Sequence, residues 1–120
     1  MNDSVLFNKS KKFALRIFKL CKFIKEEKQE FIITGQLFRS GTSIGANIAE
    51  SRYAASKADF TNKLHIAVKE ASETEYWLTL LTEAEILSEV ESKSILSDCA
   101  ELIKLLTASI KTSKNKLSEQ

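Results

Sequence analysis

Side chains able to do chemistry are sparse and scattered in this chain. His65 is its single histidine. It falls beside the apolar seam of a helical segment, where a surface or boundary histidine is the simpler reading. Cys21 and Cys99 stand far apart. In a reducing compartment they read as small buried hydrophobes rather than as a disulfide. Glu70, Glu73, Glu75, Glu83 and Glu85 crowd one segment. A di-iron bundle, however, needs Glu-x-x-His pairs on two helices, and the sequence holds none. It also lacks Cys-x-x-Cys, a P-loop and G-x-G-x-x-G. Serines with one distant histidine make no triad. The residues therefore predict no enzyme, no cofactor and no metal site.

Two constellations remain. The first is a polar stripe, Gln36, Arg39, Ser43, Asn47 and Glu50, at helical spacing in a stretch where only Arg39 and Glu50 carry charge. A helix facing solvent carries a charged flank, so this one is expected to be buried nearly all round. Arg39 and Glu50 lie roughly 16 Å apart along a helix axis and cannot pair with each other. Glu73 or Glu75 is the expected partner of Arg39. The stripe reads either as an exposed polar face or as a buried network that registers helices or subunits. The second constellation is basic: Lys9, Lys12, Arg16 and Lys19, with Lys11, Lys22 and Lys25 nearby. It reads either as a solubilising face or as a contact for a phosphate backbone. None of the four lies on the core stripe, so changing all four to Glu is expected to leave the fold intact.

The elements that carry these residues are helices. The chain has 120 residues, no proline and three glycines, which suits one domain of long, unbroken helices. Four are expected, at about 4–27, 31–51, 56–84 and 88–115. Helix 1 carries Leu6, Phe13, Ile17, Leu20 and Ile24 on one stripe, widened by Phe7, Ala14, Phe18 and Cys21. Helix 2 carries Ile33, Leu37, Ser40, Ile44 and Ile48, and beside them Gly41, Gly45 and Ala49, small enough for a close helix approach. Ser56 and Asp59 read as a capping box. Phe60, Leu64, Ala67, Ala71, Thr74, Leu78 and Leu81 form the seam of helix 3, and Ile95, Cys99, Leu102, Leu106 and Ile110 that of helix 4. The short links make neighbours antiparallel, hence an all-α, up-down-up-down four-helix bundle. The apolar faces of helices 1 and 2 exceed what one small bundle covers, which predicts an oligomer.

Net charge is +2 but uneven: residues 1–57 hold 11 Lys+Arg and 5 Asp+Glu, residues 58–120 hold 7 and 11. No apolar run reaches the roughly 18–20 residues of a membrane helix. The start lacks the apolar core of a signal peptide. A cytoplasmic protein with no membrane role is expected.

The stretches QLFRSGTSIGANIAES (Gln36–Ser51) and SKADFTNKLHIAVKEASETEYWLTLL (Ser56–Leu81) closely resemble the bacterial four helix bundle protein family, also called the 23S rRNA intervening-sequence protein family. The resemblance implies a bundle assembled as a ring-like homopentamer. It also points to a related branch, the accessory proteins of diversity-generating retroelements, which bind nucleic acid and a reverse transcriptase. The motif residues carried over are Arg39, Ser40, Ser43, Ile44, Asn47, Ile48, Ala49 and Glu50, with Glu73 and Glu75 on helix 3. Ser51 departs from the pattern, since much of the family closes helix 2 with Gly. Two functional classes stay open: an oligomeric bundle that binds structured RNA or another nucleic acid, and an assembly or adaptor module with a protein partner.

Overall fold

The structure is a computed structural model. It describes residues 3–119, with side chains described over residues 5–115. Four helices follow one another: α1 (Asp3–Phe23), α2 (Ile32–Ser51), α3 (Lys57–Glu83) and α4 (Glu89–Glu119). A five-residue π-helical turn, Ile24–Lys28, closes α1. Each helix packs antiparallel on the next, and α4 returns to α1. The expected boundaries lie within two residues of these except at the end of α1, which stops at Phe23 with the π-helical turn continuing to Lys28, and at the end of α4, which runs four residues further.

The expected stripes form one core. Leu6, Phe13, Ile17, Leu20 and Ile24 from α1 meet Leu37, Ile44 and Ile48 from α2. Leu64, Leu78 and Leu81 from α3 and Ile95, Leu102 and Leu106 from α4 complete it. Cys21 and Cys99 are buried free thiols. Burial pushes their pKa up to about 11 and about 12, which leaves both inert toward thiol reagents near neutrality.

Local chemistry sets the helix ends. Ser56 accepts the Asp59 N–H at 3.0 Å, while the Asp59 carboxylate accepts the Ala55 N–H at 3.1 Å. The capping box thus reaches one residue further back than its usual form. At the end of α3 the Ile86 N–H reaches the Leu81 carbonyl and the Glu85 N–H that of Thr82. That is a Schellman closure, with Glu85 left-handed at φ 63°. The end of α2 needs no glycine. Ser51 is buried inside the last helical turn with its hydroxyl on the Ile48 carbonyl. Arg52 follows with φ −66°.

Small residues seat α1 on α2. A Cβ on Gly41 would lie 2.9 Å from both Cγ1 and Cγ2 of the buried Ile17. Those atoms branch from Cβ and cannot swing away. Overpacking costs about 1–3 kcal/mol against a gain in helix propensity of about 1 kcal/mol, so Gly41→Ala is expected to destabilise the fold by up to about 2 kcal/mol. In an Ile17→Ala background the same methyl should cost little. A double-mutant cycle from denaturant melts checks this; equal costs in both backgrounds would contradict it.

Candidate functional site

The motif residues of α2 divide between two surfaces. Ile44 and Ile48 are core, and the Ser40 hydroxyl accepts that of Thr74 at 2.9 Å in the interior. The rest lie toward solvent. The Arg39 guanidinium forks across to α3, donating to Glu70 at 2.9 Å and to Glu73. Glu73 also accepts the Trp77 indole N–H at 2.9 Å. Glu50 meets Lys63 at 3.6 Å. As expected, Arg39 and Glu50 find partners off their own helix. Glu73 was one of the two partners expected for Arg39. Glu75, the other expected partner, does not pair with Arg39, for it lies on the α4 side near Cys99. Glu70, not among the expected partners, takes the second arm.

Within one chain the expectation of an α2 buried nearly all round is not met. The Arg39 side chain is 49% exposed, Gln36 is exposed and Asn47 half-buried. The polar stripe is no buried network in the single chain. Its hydroxyls and amide turn instead onto their own helix: Thr42 donates to the Phe38 carbonyl at 2.7 Å, Ser43 to that of Arg39 at 2.6 Å, and Asn47 Nδ2 to that of Ser43 at 2.9 Å. Gly35, Thr42 and Ala46 flank this arc on one side. The result is a small-residue surface on which the Thr42 and Ser43 hydroxyls and one N–H of Asn47 are already satisfied. Large apolar groups border it. Phe38 packs on Phe18 of α1 with ring centroids 6.0 Å apart, and Phe18 is 54% and Ile32 80% exposed.

The exposure of Arg39 also resets the cost of removing it. The Trp77 and Arg39 hydrogen bonds hold the Glu73 carboxyl below its ordinary range. The contribution is thus full above about pH 4.3, the ordinary Glu value, and is lost as pH falls through the lower folded-state value. Partial exposure limits it to about 1 kcal/mol. In a single chain, as in the Ala46→Lys variant taken up below, Arg39→Ala is expected to cost about that at pH 7 and close to nothing well below pH 4. Matched thermal melts at the two pH values check this. A loss of several kcal/mol at pH 7 would show the fork to be buried in the folded protein.

The basic strip of α1 is partly neutralised. Lys9 meets Glu101 at 2.9 Å. Arg16 meets Asp98 at 2.8 Å and Glu91 at 3.2 Å, and donates to Ser94. Changing Arg16 to Glu would set like charges together across the α1–α4 seam, so the four-Glu variant is not the neutral substitution that the core stripe alone suggests. Lys12 and Lys19 are exposed and form no ion pair among the described residues. Near the α3–α4 link a groove of about 930 Å³ opens between α1 and α4; Lys19 and Lys28 line it together with Glu83, Glu85 and Glu89. Among the described residues no cluster of His, Cys, Asp and Glu could hold a metal ion, and no helix is long and apolar enough to cross a membrane.

The comparisons agree with this architecture. A solved structure from Bacteroides thetaiotaomicron VPI-5482, a protein of unknown function from the S23 ribosomal protein family, is 52% identical and superposes with a TM-score of 0.91. The match covers 92% of this chain and 99% of that one. No match is found among curated proteins. The family model for the 23S rRNA-intervening sequence protein matches residues 2–108, and the chain belongs to that family.

Proposed function

We infer that this protein is a non-catalytic bundle that assembles with copies of itself through the outer face of α2, as a ring-like homopentamer. The observation that carries this is the α2 surface. Burying polar groups is costly unless they are paired, and here Thr42 and Ser43 have spent their only donors, and Asn47 one of its two, on their own backbone. Covering this small-residue part of the face loses little polar solvation, while the bordering Phe18, Phe38 and Ile32 gain from leaving water. A ring joins two different surfaces of each copy, and the α2 face supplies one side of each contact.

The inert native thiols allow a direct test. Ala46 is exposed at the centre of the face and Ala100 is exposed on the outer side of α4. Ala46→Cys should react with a maleimide much more slowly than Ala100→Cys in the assembled protein. Equal rates would show that nothing covers the α2 face.

A second reading, binding of structured RNA, is favoured by exposed cations that form no ion pair among the described residues, Lys12 among them, together with the rRNA context in the family's description. Contacts to phosphate carry no base information, so such binding would be tolerant of sequence and strongly salt-dependent. Titration of a labelled RNA stem-loop tests it. Absence of binding at low salt would leave assembly, or an adaptor role toward a protein partner, as the function.

A further inference from the structure

The antiparallel topology sorts charge along the bundle in a way the linear sequence conceals. Three contacts set which residues share an end. Arg52 lies over the Phe7 ring at 4.4 Å, Thr61 is hydrogen-bonded to Ser113 at 2.7 Å, and at the opposite end Thr82 donates to Ser92. Residues 3–12, 44–70 and 102–119 therefore occupy the half that carries the α2–α3 turn. They include eleven Lys and Arg against five Asp and Glu, while the other half holds seven against eleven. The molecule is 53 Å long, several times the screening length of about 8 Å at physiological salt. A polyanion at one end is thus insulated from the charge at the other.

The described carboxylates at the basic end are already engaged, Glu70 with Arg39. Asp59 accepts a backbone N–H and Glu50 meets Lys63. Arg52, Lys57 and Lys111 are exposed and form no ion pair among the described residues. They come from the α2–α3 turn, the start of α3 and the last turns of α4. The α1 strip is electrostatically poorer. Two of its four cations face carboxylates of α4, and Lys19 borders a groove lined by Glu83, Glu85 and Glu89. A phosphate approaching that strip meets carboxylates beside each of these three cations.

We propose that the α2–α3 turn end, through Arg52, Lys57 and Lys111, receives the phosphate backbone of RNA, in place of the α1 strip. The proposal rests on the RNA-binding reading above and assigns it a different surface. In a symmetric assembly the cluster repeats once per copy, so contacts that are weak singly act together.

The test is an anisotropy titration of a fluorescein-labelled RNA stem-loop at several salt concentrations, with three proteins. Wild type should bind at low salt. Arg52→Gln/Lys57→Gln/Lys111→Gln should bind at least about tenfold more weakly, with the slope of log K against log salt reduced by about two to three. Lys19→Gln/Lys22→Gln, on the acidic half of α1, should stay within about threefold of wild type. Circular dichroism and light scattering verify that each variant keeps its helices and mass. Should the triple variant change mass, Lys57→Gln and Lys111→Gln taken singly should each lower the slope by about one. A wild-type slope in these end variants, or loss of binding in the α1 pair, overturns this assignment and leaves RNA binding standing. No binding by wild type at low salt removes the RNA reading itself, and this assignment with it.

Discussion

Glu30→Ala should lower stability by about 2 kcal/mol and the melting temperature by roughly 8 °C. The first backbone N–H groups of any helix lack partners within it, and α2 begins at Ile32 with no Ser, Thr, Asp or Asn at its N-cap. Glu30 does the work from one residue further out. One carboxylate oxygen accepts the N–H groups of Ile32 and Ile33, both at 3.0 Å. The other accepts the Thr34 N–H at 2.7 Å and its hydroxyl at 2.6 Å. The bonds are charge-assisted, and the negative charge sits at the positive end of the helix dipole. Partial burial works against the carboxylate, but the Thr34 hydroxyl and the three N–H groups outweigh it and hold its pKa below the ordinary range. The stability is therefore present above about pH 4.3 and is lost as pH falls through the lower folded-state value. Glu30→Gln, which keeps an acceptor without the charge, should lose about half as much. An alanine variant that melts with wild type at pH 7 would show the cap to be dispensable.

Glu30 also marks where the sequence stops being legible. Periodicity alone placed Leu37, Ile44, Leu64 and Leu102 in the core, because burial on a helix follows from angle. The Ser56–Asp59 box was legible because both residues sit at their usual offsets. Glu30 was missed because a carboxylate before the N-cap is not the standard signal; the lack of any usual capping residue at Phe31 was the available clue. The choice among Glu70, Glu73 and Glu75 for Arg39 depends on the rotation of α3 against α2, which no single-helix pattern contains. Pairing of Lys9 and Arg16 with Glu101 and Asp98 depends likewise on the register of α1 against α4, two elements far apart in the chain. The small residues at 41 and 45 did signal close packing correctly, as the seat of Ile17 and Ser10 on α2 shows.

Ala46→Lys should convert the assembly to single chains while leaving each chain folded. In an isolated bundle Ala46 is exposed, and the substitution costs only a few tenths of a kcal/mol in helix propensity. Glu50, one turn on, gives the new ammonium a partner. Beneath a neighbouring copy the same ammonium is buried with incomplete compensation, which costs several kcal/mol at every contact. One substitution thus acts once per interface around a ring. Helical content should match wild type, and mass should fall. Retention of the wild-type mass would place the contact elsewhere on the surface.

Whether the chain assembles is decided by the mass of the wild-type protein at micromolar concentration. Light scattering coupled to size exclusion should return a single species of several chains, five times the 13.5 kDa chain for a pentamer, with Ala46→Lys run beside it at the mass of one chain. A wild-type protein that elutes at 13.5 kDa across that concentration range would contradict the account.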